Sequence, residues 1–261
     1  SGLIYEALGW TPPEFAHLPM MLSPKGEKLS KRHAAVAVQD YRSRGYSPVG
    51  VLNYLVRFGW SHGDQEVFSR DELIALFGWD HVGRSAGRFD ERKFLDVNFE
   101  HLKEERLTDT DTYVAAVTPF LLARGLPAPD PALLRAALPH VRARARTYEE
   151  AAFALDYFFR EPPELDAQAA NRFLVADTSP VLASLADALD AVEPWRADAL
   201  EERFRAWLEQ TGRDLKQAAQ PARVALTGRT ASPPLFDVMA VLGRACTLRR
   251  LHAAAATAAG G

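Results

Sequence analysis

The sequence predicts a mainly α protein in which helical domains follow a short α/β segment at the N-terminus. Three observations carry that expectation. Helix-start signals recur along the chain at Ser47 with Pro48, Ser69 with Glu72, Asp90, Asp130 with Pro131, Thr147 with Glu150, and Ser179 with Pro180. Each offers a side-chain oxygen to the free N–H groups of a first turn, or a proline where the missing N–H does no harm. Apolar residues recur at helical spacing, most clearly Leu134, Leu138, Val141 and Ala145 at i, i+4, i+7 and i+11. After residue 34 no run alternates apolar and polar residues as a half-buried strand does, and no internal repeat is evident.

Taken in order, residues 3–9 read as the end of a short helix and residues 17–22 as a strand leading into a basic loop. Gly45 stops a helix, Ser47 and Pro48 are the N-cap and first position of the next, and Gly59 ends it. Ser69 and Glu72 form a capping box before an apolar helix closed by Gly78. Asp90 caps a helix through Lys93 and Phe94. Residues 109–124 form another, stopped by Gly125, and Pro127 and Pro129 mark a connector. Asp130 and Pro131 open the helix that bears the buried stripe. Thr147 and Glu150 form a second capping box, so the chain breaks near Arg146 and re-enters helix through residues 153–159. Glu161, Pro162 and Pro163 read as a hinge. Ser179 with Pro180, Glu193 with Pro194, and Gly212 bracket further helices, and residues 215–226, 234–242 and 244–256 complete the set, with a fraying alanine-rich tail. The expected units are 1–33, 34–100, 101–161 and 162–261.

At 261 residues, 48% hydrophobic and 25% charged, the chain has the material for two or three modest cores. No apolar stretch approaches the ~20 residues that span a bilayer, and Asp156 interrupts the longest aromatic run, so no membrane partner is expected. The single Cys246 excludes an internal disulfide and a cysteine-based zinc cluster, which fits a reducing cytoplasm. The seven histidines have no paired ligand spacing, and no metal site is expected. Net charge is only −3 but unevenly spread. Residues 25–44 carry six Lys/Arg against two acids and residues 211–252 seven against two, whereas residues 147–210 carry five against fourteen. Such fluctuation is compatible with any helical protein and also with local faces that neutralise phosphates.

The segment with the sharpest chemistry is Lys28, Leu29, Ser30, Lys31 and Arg32, preceded by Pro24, Lys25 and Gly26. Two lysines three residues apart, with a hydroxyl between them and a glycine nearby, make a cationic loop suited to polyphosphate, because an ammonium near a leaving pyrophosphate stabilises charge that grows in the transition state. The same residues also serve as an ordinary solvated loop. Arg142, Arg144 and Arg146 alternate with alanine at a helix end. There Arg142 and Arg146 share a face while Arg144 points about 200° away, and cations are favoured by the helix dipole. That helix-end account is preferred for Arg142 and Arg146. Arg223, in Gln220, Pro221, Ala222, Arg223, reads on its own as a solvated charge. Trp60, Trp79, Trp195 and Trp207 read as core or interface aromatics.

The residues around these features resemble bacterial glutamyl-tRNA synthetases, class I aminoacyl-tRNA synthetases. The resemblance is carried by Leu3 through Trp10, Pro13, Glu14, Phe15, His17, the lysine loop, Tyr46, Ser47, Pro48, Leu52, Asn53, Tyr54, Phe58, Gly59, Trp60, Phe89, Asp90, Lys93, Asn98, Gln220, Pro221, Arg223, Thr227, Gly228 and Pro233 through Phe236. Asp96 departs from it, standing where the family often has a bulky residue, and so does Ala34 in place of a frequent glycine. The resemblance implies a C-terminal fragment: a remnant of the α/β nucleotide-binding domain (1–33), a helical stem-contact domain (34–100) and two helical anticodon-binding subdomains. It implies that the adenine motif and the glutamate pocket lie upstream of Ser1, so that the chain alone is expected to be inactive. It implies ATP as the parent enzyme's cofactor, with magnesium, not held tightly by this chain, and Lys28 and Lys31 as its phosphate contacts, Lys31 matching the catalytic-loop lysine. It implies tRNA(Glu) as partner, with Arg144 reading the third anticodon base, Arg223 a second reader, and Ser232 and Leu235 supplying a polar contact and an apolar platform. For Leu235 a core role beside Met239 stays open. DNA is not an expected partner, and the chain is expected to be a monomer. The alternative is a free-standing helical RNA-binding or scaffold protein derived from a synthetase.

Overall fold

A computed structural model describes residues 2–29 and 37–260. The N-terminal segment is as short as expected. Helix α1 (Gly2–Ala7) is followed at a distance by β1 (Met21–Leu22), only the tip of the expected 17–22 strand. The chain then turns back on itself. The Ser23 N–H donates to the Glu27 carbonyl (2.7 Å), and Lys28 bridges antiparallel to Leu22. Strand β1 also pairs in parallel with β2 (Gly87–Arg88), Met21 opposite Gly87 and Leu22 opposite Arg88. Strand β2 corrects the expectation that no strand follows residue 34. Two residues are too few for a period-2 pattern to register. Gly87 allows the approach, since a Cβ there would stand 2.7 Å from the Phe58 ring.

Four helices follow: α2 (Val38–Ser43), α3 (Pro48–Val56), α4 (Arg70–Leu76) and α5 (Glu91–Lys103). The Ser69 box is reciprocal, its hydroxyl accepting from the Glu72 N–H (3.1 Å) and the Glu72 carboxylate from the Ser69 N–H (2.6 Å). Helices α3 and α4 stop two residues or so before the glycines expected to end them. Their core is aromatic. Tyr54 stacks on Phe94 with centroids 4.3 Å apart, Tyr41, Tyr46 and Phe89 close around the pair, and Trp60, Phe68 and Leu73 form a smaller cluster. Trp79, expected among the core aromatics, is instead 63% exposed.

Helices α6 (Thr110–Ala123), α7 (Pro131–Arg142) and α8 (Tyr148–Leu155) build a second core. The stripe Leu134, Leu138, Val141, Ala145 is buried throughout. The Thr147 box forms by half. The Glu150 N–H donates to Thr147 Oγ1 (3.1 Å), but the Glu150 carboxylate takes the Arg146 N–H (2.7 Å) in place of the cap's own. Helix also ends at Leu155, giving way to a 3-10 turn over Asp156–Phe158.

The third core comes from α9 (Ala167–Phe173), α10 (Ser179–Asp190), α11 (Ala197–Thr211), α12 (Leu215–Thr227), α13 (Leu235–Leu242) and α14 (Arg244–Gly260). Helix α14 lies along α10 and continues to Gly260, past the expected end at residue 256. Ala254, Ala255 and Ala258 extend the buried stripe begun by Thr247 and Leu251, which gives the tail a face to pack. Helix α13 joins two cores, Val238 entering that of α6 to α8 while Leu235 and Met239 enter the third. Among the described residues no helix is long and apolar enough to cross a membrane.

Candidate nucleic-acid interface

Of the lysine loop, Ser30, Lys31 and Arg32 lie outside the described residues. Lys28 is exposed at the hairpin end, and Leu29 packs against the aromatic core of α2 to α5.

The residues expected to face RNA come from two segments distant in sequence, Arg144 from one and Arg223, Ser232 and Leu235 from the other, and meet at one loop. Helix α12 presents Arg223, whose Nη1 donates to Ser232 Oγ and to the Pro233 carbonyl (2.9 Å). From the turn between α7 and α8, Arg144 Nη1 donates to the Ser232 carbonyl (3.3 Å). Arg144 is exposed and Arg223 half-buried. Burial, and then the charge of Arg144, holds the Arg223 guanidinium below its ordinary pKa, which signals two cations converging on one site. Leu235 is only 4% exposed and packs in the third core with Met239, so it supports the loop from beneath.

The loop is shaped from its start. Gly228 has φ +75°, and a Cβ there would stand 1.9 Å from the Glu164 carbonyl oxygen, so no side chain fits. Thr227 Oγ1 donates to the Arg223 carbonyl (2.8 Å) and accepts from the Arg229 N–H (3.2 Å).

Sequence reasoning missed a cluster beside this loop. Asp156, 1% exposed, receives Arg229 Nη2 at 2.7 and 2.9 Å and Arg124 Nη2 at 2.7 Å. The Arg229 guanidinium also lies 3.7 Å from the centroid of the half-exposed Phe153 ring. The signal was present, because a carboxylate inside an apolar run goes under only with cations to meet it. The helix-end account of Arg142 also needs correction. Its side chain is buried (8% exposed), and it donates to the Leu102 carbonyl (2.8 Å), the Thr108 carbonyl and Glu105, stapling the end of α5 to α7. It sits next to Val141 and so borders the buried stripe. Arg146 pairs with Asp96.

Residues 112–255, which include Arg144, Arg223, Ser232 and Leu235, match the family described as anticodon binding domain. The chain belongs to the anticodon-binding-domain family. Ahead of this anticodon-binding domain, residues 2–96 match the catalytic domain of class I tRNA synthetases (E and Q), and Lys28 falls within that match. Glutamate–tRNA ligases are homologues of the chain. That of Anaeromyxobacter sp. (strain Fw109-5) is 47% identical over 249 residues, 95% of this chain and 52% of that protein. Glutamate–tRNA ligase 1 of Syntrophus aciditrophicus (strain SB) is 41% identical over 253 residues, 96% of this chain and 52% of its own length. The chain thus spans about half the length of the curated relatives it matches. Among solved structures, the glutamate tRNA ligase of Elizabethkingia meningosepticum CCUG26117, in complex with its amino acid, superposes with a TM-score of 0.78 at 26% identity, over 98% of this chain and 54% of that one.

Proposed function

We propose that this chain is the tRNA-binding portion of a glutamate–tRNA ligase, and that Arg144, Arg223 and Ser232 read the anticodon of tRNA(Glu). The observation that carries the reading is the convergence of two guanidiniums on the Ser232 loop, inside a domain of the anticodon-binding family. Unstacked bases are recognised at their hydrogen-bonding edges, and a planar guanidinium donates two parallel bonds to one edge where an ammonium cannot. The single 3.3 Å bond from Arg144 to Ser232 engages one of its several N–H donors and is long enough to be exchanged for a base.

Lys28 and Lys31 are then phosphate contacts for ATP in the whole ligase. The exposed Lys28 ammonium, on the return arm of a tight hairpin, has the charge and reach that polyphosphate requires. We place divisions at 33/34, 100/101 and 161/162, and the last two are supported by separate cores on either side. The protein would act as a monomer in the cytoplasm. A free-standing RNA-binding or scaffold protein is not favoured, because two synthetase families match adjoining parts of one chain.

The test is a titration of the chain, at two salt concentrations, with tRNA(Glu) and with the same RNA whose third anticodon base is changed to G. Arg144→Ala is expected to lower affinity for the first far more than for the second, removing about 1–3 kcal/mol of discrimination. An unchanged ratio of affinities overturns the reading of Arg144.

A further inference from the structure

The turn that carries Arg144, residues 143–147, is anchored on its far side by α5. Asn98, fully buried on that helix, donates from Nδ2 to the Arg146 carbonyl (2.6 Å) and accepts the Ser47 N–H at Oδ1 (2.8 Å). One amide thereby joins the start of α3 to the Arg144 turn, each end meeting a main-chain group of another segment. Asp96, two residues earlier on α5, pairs with the Arg146 guanidinium from the surface. The Tyr148 N–H donates to the Gly45 carbonyl (2.8 Å), and a Cβ on Gly45 would stand 2.5 Å from the Glu149 nitrogen, so the two turns touch backbone to backbone. Gly50 gives Asn98 its room in the same way, a Cβ there coming 2.8 Å from Oδ1. The side chain of Arg144 departs two residues from the anchored carbonyl and reaches the Ser232 loop on the other side. A shift of that peptide swings Arg144 relative to the loop.

We propose that Asn98 is a positioning residue for anticodon discrimination: it fixes the Arg144 turn to α5, with Asp96 as a surface brace, so that Arg144 meets its base already oriented. The inference rests on the reading of Arg144 as an anticodon contact. A donor held in place before binding loses less freedom when it binds. Loosening the anchor therefore weakens the base contact without touching the base.

The experiment titrates the full chain with tRNA(Glu) and with the RNA altered to G at the third anticodon base. Asn98→Ala is expected to narrow the ratio of affinities about threefold to tenfold, and to narrow it no further when added to Arg144→Ala, because the two act on one contact. A merely structural role lowers both affinities together and does so equally in either background. Asp96→Ala, an exposed change that leaves the core intact, is expected to narrow the ratio about twofold, and it decides alone if Asn98→Ala does not fold. The inference is overturned if Arg144→Ala narrows the ratio while both α5 variants leave it unchanged, or if the effect of Asn98→Ala persists undiminished in the Arg144→Ala background. If Arg144→Ala itself leaves the ratio unchanged, the reading of Arg144 fails first and the positioning role goes with it.

Discussion

Arg142, Arg144 and Arg146 occupy alternate positions, and their surroundings give the three guanidiniums different work. Arg142 is a fastener whose removal leaves the Leu102 and Thr108 carbonyls without their donor. Arg142→Ala should therefore destabilise the fold by about 3 kcal/mol, read as a lowered urea midpoint, while the ratio of affinities for the two RNAs stays as in the parent. A second residue-scale prediction concerns acid. His101 is fully buried and donates through Nε2 to Asn53 Oδ1 (2.9 Å). Burial, helped by Arg106, brings its pKa down from 6.5 to about 4. As pH falls below 6.5 the unfolded chain takes up a proton that the folded chain refuses until about pH 4, so stability drops across that window by roughly 3 kcal/mol in all. His101→Gln should flatten this part of the pH dependence in urea titrations made between pH 7 and about pH 4.5. An unchanged slope would show that His101 is not its source.

At the scale of elements, the turn between α12 and α13 depends on Gly228, whose missing Cβ lets the chain pass the Glu164 carbonyl. Gly228→Ala should displace the loop bearing Ser232 and weaken binding of both RNAs, with a loss of stability above about 2 kcal/mol, measured by thermal denaturation beside the titration. Much of the element order was legible because its signals are local. Ser47, Ser69, Asp90, Asp130 and Thr147 each cap the helix they announce, since a hydroxyl or carboxylate beside free N–H groups needs no distant partner. What escaped was set by partners far along the chain. The two residues of β2 are a strand only because Met21 and Leu22 lie beside them. Asp156 ends α8 in a 3-10 turn where Arg229, 73 residues later, takes its carboxylate. In the candidate site, the resemblance named Arg144, Arg223 and Ser232, which the fold brings together, but neither spacing nor resemblance said that Asp96 and Asn98 hold the turn behind Arg144.

Across the whole molecule, one buried arginine ties the second and third helical cores together. Arg250 of α14, 3% exposed, donates to the carbonyls of Leu226 (2.5 Å), Tyr157 (2.8 Å) and Arg160 (2.7 Å), and to Glu161 (3.2 Å). It gathers the end of α12 and the chain after α8 onto one guanidinium. Arg250→Met, which keeps the aliphatic stem but leaves these carbonyls without a donor, should lower stability by about 3–5 kcal/mol. It should also separate unfolding of the α6 to α8 core from that of the α9 to α14 core, seen as two steps where the parent shows one in a denaturant titration followed by circular dichroism. A single transition, shifted to lower denaturant, would mean that α13, through Val238, suffices to couple them, and an unshifted one would refute the role given to Arg250.

The last helix of that core is written largely in alanine, the kind of simple stretch that composition filters mask as uninformative. Ala254, Ala255 and Ala258 are each less than a tenth exposed, on a helix that lies along α10. Ala258 is fully buried, so a leucine there would have to displace the residues packed around it. Low sequence complexity and low structural constraint are therefore different properties: the most repetitive part of this chain carries a dense message, written in the size of its side chains rather than in their variety.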